Sequence, residues 1–135
     1  MEQIRLHGRD KNTLLKSITH NLPDDFNFCD YSRVWRYDSS PGYTKSFSVD
    51  IFARPVHVDD YAIIGEVKSR DTRKFSKEEA VAFETKFAKV KKLENINRAV
   101  GFIFSRSGFT KDAEDYCKEK GIACSEDESW LETGK

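Results

Sequence analysis

Hydrophobic and polar residues alternate along two stretches in the first half of the chain, and a third stretch opens as an apolar run. These stretches are Phe26–Asp38, Tyr43–Ala53 and Tyr61–Lys68, and the turn signal Ser39–Gly42 separates the first two. Alternation with period two is typical of half-buried β-strands, and short connections favour antiparallel neighbours. The pattern therefore predicts a three-stranded meander.

The second of these strands carries an acidic residue among hydrophobic ones. Strict alternation predicts that Val49 and Ile51 share one face, while Asp50 and Phe52 share the other. The third strand ends in Glu66 and Lys68, which lie two residues apart and so point to one side. Both strands are thus predicted to present a carboxylate where hydrophobic side chains would otherwise continue.

Helical spacing alternates with short apolar runs in the second half of the chain. Ser76 and Glu79 form a capping box that predicts the start of a helix ending near Leu93. A second helix is predicted from the N-cap Thr110 to the C-terminal Gly121. The remaining predicted elements are a first helix over about Asp10–Asn21 and strands over Ala99–Ser105 and Ile122–Cys124.

This order of elements predicts an α/β fold. The meander is followed by strand-helix-strand units, which require parallel pairing, so we expect a mixed central sheet with helices on both faces. A length of 135 residues suits a single domain covering residues 1–135. We expect its core to span about 10–124, followed by an acidic tail over 125–135.

Composition narrows the class of protein. Hydrophobic residues make up 38% and charged residues 34% of the chain, as in globular proteins with polar surfaces. There is no apolar run near the ~20 residues that span a bilayer, and the N-terminal residues lack the apolar core of a secretion signal. We therefore expect a cytoplasmic protein with no membrane partner.

The three cysteines, Cys29, Cys117 and Cys124, favour reduced, buried thiols, and the scattered histidines make a zinc site unlikely.

Charge is balanced overall but unevenly distributed. The formal net charge is zero, from 23 basic and 23 acidic residues. The segment Lys68–Lys92 contains nine Lys or Arg and four Asp or Glu, whereas Asp112–Lys135 contains eight acidic and three basic residues. The basic region could bind an anion, although a solvated helix surface would give the same counts.

Asp50, Glu66 and Lys68 are the candidate catalytic residues. If neighbouring strands align them, two carboxylates meet with an ammonium nearby, and such a pair is costly in a partly buried place unless a cation joins it. Oxygen ligands of this kind suit Mg²⁺ or Mn²⁺. The metal would lower the pKa of water and neutralise phosphate charge, and the lysine would orient the water or stabilise the transition state. These three groups are sufficient for phosphodiester hydrolysis.

The arrangement of Val49–Asp50 and then Gly65–Lys68 on the next strand resembles the PD-(D/E)XK nuclease superfamily, which has the restriction-endonuclease-like fold. The later run Ala99–Ile122 is similar to the strand and helix that follow the active site in Mrr-like relatives. The resemblance covers about 28–124. It implies that Asp50 and Glu66 bind the metal, that the backbone carbonyl of Val67 completes the metal shell, and that Lys68 is the catalytic lysine.

The sequence departs from the family pattern at two places. Val49 stands where the motif has proline, and the predicted first helix lacks the glutamate found there in many members. Glu84, on the helix after the motif, could supply an additional carboxylate, although a solvated surface role is the simpler interpretation. A missing acid could mean one metal ion rather than two.

Our leading hypothesis is a Mg²⁺- or Mn²⁺-dependent endonuclease that cuts DNA, with RNA not excluded. Basic residues near the motif and near the later helix start could bind the phosphate backbone: Arg70, Arg73, Lys74, Arg106 and Lys111. Alternatively, the chain is an inactive nuclease-like fold that serves as a nucleic-acid-binding or assembly module. A third possibility is a structural domain in which Glu66 and Lys68 form a surface ion pair. Specificity could come from a homodimer or a partner protein.

Overall fold

A five-stranded mixed sheet forms the centre of the computed structural model, which describes residues 16–26, 31–38, 48–57 and 59–127. Within these residues the strands lie side by side in chain order: β1 (Tyr31–Asp38), β2 (Ser48–Pro55), β3 (Ala62–Lys68), β4 (Ala99–Ser105) and β5 (Ala123–Ser125). The pairs β1–β2 and β2–β3 are antiparallel, whereas β3–β4 and β4–β5 are parallel. The predicted α/β class, the meander and the mixed sheet are confirmed.

Two helices connect the parallel strands, and both have the predicted ends. Helix α1 (Lys77–Leu93) begins at the N-cap Ser76, whose hydroxyl accepts from the backbone N–H of Glu79 in a complete capping box. Helix α2 (Lys111–Lys120) begins at the N-cap Thr110 and ends at Gly121, which has the left-handed φ of 70°. Such caps satisfy backbone groups that a helix cannot pair internally.

Both α1 and α2 pack on one face of the sheet, so the predicted arrangement with helices on both faces is wrong for these two helices. Phe52 and Ile64 contact Val90 of α1, while Ile103 packs with Phe83 of α1 and Cys117 of α2. The opposite face holds a second apolar cluster, formed by sheet residues and the segment 16–26: Ile18, Leu22, Phe26, Ile51, Ala53, Ile63, Val100, Phe102, Phe104 and Ala123. Lys16 and Ser17 are helical, and the earlier part of the predicted first helix lies outside the described residues. Its predicted end at Asn21 is wrong, because His20 already forms a β-bridge with Cys124.

Strand boundaries differ from the prediction mainly at strand starts. Of the predicted strand Phe26–Asp38, Tyr31–Asp38 forms β1 and residues 27–30 lie outside the described part. Phe26 is not in a strand; it is fully buried, with its ring centroid 5.7 Å from that of Tyr61. Residues 43–47 of the second predicted strand lie outside the described part, and β2 extends two residues further, to Pro55. The predicted acidic tail begins one residue too early, because Ser125 is buried at the end of β5, whereas Glu126 and Asp127 are exposed.

A β-bulge interrupts the alternation of β2 beside Asp50. Trp35 pairs with Phe52 but Tyr37 pairs with Val49, so two residues of β2 lie opposite one residue of β1. Val49 consequently packs in the cluster with Phe52, on the face opposite to Ile51, and the predicted shared face of Val49 and Ile51 is wrong. An extra residue shifts the following side chains by one position and redirects those at the bulge.

Candidate active site

The carboxylates of Asp50 and Glu66 meet across β2 and β3. The backbone pairing of these strands ends at Ile51 opposite Gly65, and the same register continued by one residue places Asp50 opposite Glu66. Asp50 lies one residue beyond this pairing, and its Oδ2 accepts a hydrogen bond of 2.9 Å from the N–H of Val67. The Asp50 side chain thus reaches β3 from a position beside the bulge in β2.

Glu66 is a buried carboxylate near the end of β3. Only 7% of the residue is exposed, and its neighbour across the parallel pairing is the apolar Ile103. Burial raises the pKa of Glu66; Lys86 opposes this shift, and the Asp50 carboxylate, within hydrogen-bonding reach, adds to it. Two acids in one partly buried place repel each other, which is the electrostatic condition that a bound cation relieves.

The raised pKa of Glu66 predicts that this side chain lowers stability at neutral pH. The folded protein binds the proton of Glu66 more tightly than the unfolded chain does. Protonated Glu66 therefore stabilises the fold below the ordinary pKa of 4.5, and this stabilisation is lost as the pH rises through the pKa of the folded protein. Glu66→Gln removes the charge and keeps an oxygen that Lys86 can contact. We expect it to raise the free energy of unfolding by about 1 kcal/mol at about pH 8.

Urea denaturation at about pH 8 and about pH 5 measures this effect. The gain should shrink at the lower pH, where Glu66 itself is closer to neutral. The matched control is Glu78→Gln, which changes an exposed acid in the first turn of α1 and should cause no gain. Destabilisation by Glu66→Gln at about pH 8 would contradict the assignment of Glu66 as a destabilising buried acid.

Lys68 ends β3 two residues beyond Glu66 and is half-buried. Its backbone carbonyl accepts from the N–H of Arg106 at 3.0 Å, which ties the ends of β3 and β4 together. Within the described residues its ammonium makes no hydrogen bond or ion pair. Lys68 thus stands at the same strand end as the acid pair with its charge available to a ligand.

Lys86 is the residue at this site that the sequence analysis missed. Its Nζ lies 2.9 Å from Oε1 of Glu66, so the ammonium that contacts the acid pair comes from α1. The sequence did contain a signal, because Lys86 follows Phe83 by three positions and precedes Val90 by four. That spacing places it on the buried face of the helix.

The loop between β3 and α1 is held by Arg70. The guanidinium donates to both carboxylate oxygens of Glu79, at 2.9 and 3.0 Å, and the same carboxylate accepts from the N–H of Ser76. Although burial opposes it, Arg70 holds the pKa of Glu79 below its usual value. Arg70 is therefore engaged in fixing the start of α1, and its side chain is 25% exposed.

The other basic residues predicted to bind nucleic acid lie on, or directly after, two loops that are joined by backbone hydrogen bonds. Phe75 donates to Gly108 at 2.9 Å and accepts from Thr110 at 3.0 Å. The two loops follow the carboxyl-terminal ends of β3 and β4, and Glu66 lies near that end of β3. Four exposed basic residues lie here, three on the loops and one at the first position of α2: Arg73, Lys74, Arg106 and Lys111.

Two of these exposed residues already face acids. Arg106 lies 3.6 Å from Asp71, and Lys111 pairs with Asp115 at 3.1 Å along α2. Exposed pairs of this kind are weak, so an incoming phosphate can replace the carboxylate at little cost. Arg73 and Lys74, in contrast, are solvated on the loop that leaves the acid pair.

The remaining candidate ligands lie away from the acid pair. Glu84 accepts a hydrogen bond from Tyr116 and raises the pKa of that phenol to about 12, so its carboxylate serves the contact between α1 and α2. Burial raises the pKa of Cys117 to about 11 and that of Cys124 to about 12, so both thiols stay protonated. Cys29 lies outside the described residues.

The described residues contain neither a larger group of metal ligands nor a helix that could span a membrane. No group of three or more His, Cys, Asp or Glu side chains comes together within the described ranges, so the acid pair is a two-carboxylate arrangement there. Neither α1 nor α2, the helices of the described chain, is long and apolar enough to cross a membrane.

Comparison with known proteins relates the fold to one solved structure. The chain matches the crystal structure of AF1548, a protein of unknown function, with a TM-score of 0.53 and 19% sequence identity. The match covers 67% of this chain and 48% of that chain, so this chain spans about half the length of AF1548. At this identity the similarity shows the fold alone. No protein-family model matches the chain, and no curated protein does.

Proposed function

We propose that this protein is a metal-dependent nuclease with a restriction-endonuclease-like fold that hydrolyses DNA phosphodiester bonds. The observation that carries the proposal is the meeting of Asp50 and Glu66 at one end of the sheet. Lys68 ends the same strand two residues later. Two acids and a lysine in this order on neighbouring strands match the motif that the sequence resembles.

The acid pair fits a hard divalent cation. Asp50 and Glu66 would hold Mg²⁺ or Mn²⁺ through carboxylate oxygens, with the backbone carbonyl of Val67 as the further ligand that the resemblance implies. The fit rests on the chemistry of the pair, because burial and the Asp50 carboxylate both disfavour the charged form of Glu66, and a shared cation would relieve this. The bound metal supplies an activated water and neutralises charge on the phosphate.

Lys68 has the position and the charge for the catalytic lysine. Its ammonium, which has no ion-pair partner among the described side chains, would orient the attacking water or stabilise the charge that develops on the phosphate. The hydrogen bond from Arg106 to its backbone carbonyl fixes the base of this side chain. A fixed backbone limits the positions available to the ammonium, which helps orientation.

The two loops at the carboxyl ends of β3 and β4 provide a basic rim for the phosphate backbone. Arg73 and Lys74 are exposed on the first loop, Arg106 is exposed on the second, and Lys111 is exposed at the start of α2. Phosphate contacts of this type position a nucleic acid without selecting its sequence. We assign a weaker substrate role to Arg70, whose guanidinium is already bound to Glu79.

A cleavage assay with Lys68→Ala tests this function. Purified protein incubated with supercoiled plasmid and Mg²⁺ or Mn²⁺ should produce nicked and linear DNA, and Lys68→Ala should lower the rate about 100-fold. The matched control, Lys92→Ala, removes an exposed lysine from α1 and should cleave like the wild type.

Equal rates for Lys68→Ala and wild type would remove Lys68 from the mechanism. DNA binding without cleavage under either metal would favour the inactive binding module. In that case the basic rim, rather than the acid pair, would be the functional feature of the protein.

A further inference from the structure

An internal cation already contacts Glu66, one of the two acids of the pair. Lys86 of α1 places its ammonium 2.9 Å from Oε1 of Glu66, whose side chain is only 9% exposed. The charged groups that face Glu66 are Asp50 from β2 and Lys86 from α1. The β4 neighbour, Ile103, is apolar. Lys86 is therefore the counter-ion of Glu66 in the protein alone.

The same carboxylate cannot bind a divalent cation and keep this contact unchanged. A metal ion at ~2.1 Å from a Glu66 oxygen would stand close to the ammonium, and two cations at such a distance repel strongly in a partly buried site. Lysine has a flexible four-carbon stem, and the Lys86 side chain is 35% exposed, so its ammonium can withdraw into water.

We propose that Lys86 is a resident counter-ion of the Asp50–Glu66 pair, and that a divalent cation binds by displacing its ammonium from Glu66. This inference rests on the proposed metal site. It makes Lys86 a positioning residue that holds the two acids together before metal binding and lowers the apparent affinity for the metal. A lysine that is only structural would leave metal affinity unchanged.

Calorimetric titration with Mn²⁺ tests the displacement directly. The full chain is titrated at low salt as wild type, as Lys86→Met and as the matched control Lys92→Met, which removes an exposed lysine from the same helix. We expect Lys86→Met to bind Mn²⁺ roughly three- to tenfold more tightly than wild type, since a competing charge is gone. Lys92→Met should match the wild type.

A second measurement follows the ammonium itself. Partial acetylation of the wild type, quantified by mass spectrometry, should label Lys86 faster at saturating Mn²⁺ than without metal, while the labelling of Lys92 stays constant. If Lys86→Met folds poorly, Lys86→Gln removes the charge but keeps a hydrogen-bond donor for Glu66. It should show the same gain in affinity.

The outcomes separate this inference from the proposed function. Equal or weaker Mn²⁺ binding by Lys86→Met, with binding lost in Glu66→Gln, overturns the displacement and leaves the metal site standing. Unchanged labelling of Lys86 at saturating Mn²⁺ also overturns the displacement. Absence of Mn²⁺ binding in the wild type and all variants overturns both proposals.

Discussion

Replacing Asp50 by asparagine is expected to lower DNA cleavage at least about 100-fold and to abolish Mn²⁺ binding. Asparagine has the size of aspartate, and its side-chain oxygen can still accept the 2.9 Å hydrogen bond from Val67. The change therefore removes one negative charge from the acid pair while preserving the end of the β2–β3 pairing. Plasmid cleavage and calorimetry measure the two effects.

The control for this substitution is Asp59→Asn. Asp59 is an exposed acid in the loop before β3, at the opposite end of the strand from Glu66. The Asp59→Asn protein should therefore cleave DNA and bind metal like the wild type. Thermal unfolding of both variants checks that the fold is intact. An Asp50→Asn protein that cleaves at the wild-type rate would exclude Asp50 from the site.

The second large effect is expected at Gly65, the residue before Glu66. A Cβ atom there would lie 2.9 Å from the backbone carbonyl oxygen of Phe102 on β4, a contact that only a backbone shift relieves. We expect Gly65→Ala to destabilise the protein by about 2–3 kcal/mol and to lower Tm by roughly 10 °C. The shift of β3 would move Glu66, so Mn²⁺ affinity should fall as well.

A second glycine serves as the control. Gly121 has a φ of 70° and nothing within 4 Å of an added Cβ. Asparagine tolerates this left-handed conformation, so Gly121→Asn should cost less than about 1 kcal/mol. Thermal unfolding followed by circular dichroism compares the two variants. A Gly65→Ala protein as stable as the wild type would mean that β3 and β4 have room to separate beside the site.

Local signals predicted most of the parallel half of the fold. The capping box at Ser76, the N-cap Thr110 and the terminal Gly121 fixed the helix ends, because each satisfies specific backbone groups. The apolar run Ala99–Ser105 matched β4 at both ends. These elements follow from short-range chemistry, which a sequence displays directly.

The strand that carries Asp50 was harder to predict. A bulge depends on the pairing of β2 with β1, and the two registers around Trp35 and Tyr37 differ by one residue. Alternation within β2 contains no information about its partner. The predicted meeting of Asp50 with Glu66 nevertheless agrees with the structure, because the β2–β3 register brings these positions opposite each other.

The partner of Glu66 could be predicted only in part. Lys68 was favoured because it lies two residues along the same strand, but the ammonium in contact with Glu66 belongs to Lys86. Helical spacing places Lys86 on the inner face of α1. Which strand residue it meets depends on how α1 crosses the sheet, and that crossing is a tertiary property.

Basic residues near the site show a related limit. Arg70, Arg73 and Lys74 are close in sequence, yet Arg70 is bound to Glu79 while the other two are exposed. A count of charges gives each of them equal weight. The three-dimensional contacts distinguish them: the Arg70 guanidinium fixes the start of α1, whereas the Arg73 and Lys74 side chains are available to a phosphate.

A crystal of the wild-type protein soaked in Mn²⁺, with anomalous diffraction recorded at the manganese edge, tests the shared cation most directly. We predict one strong anomalous peak between the carboxylates of Asp50 and Glu66, with the Lys86 ammonium moved away from Oε1. Clear electron density for both carboxylates with no anomalous peak between them at saturating Mn²⁺ would contradict the proposed metal site. A manganese peak elsewhere, with Lys86 still bound to Glu66, would contradict it as well.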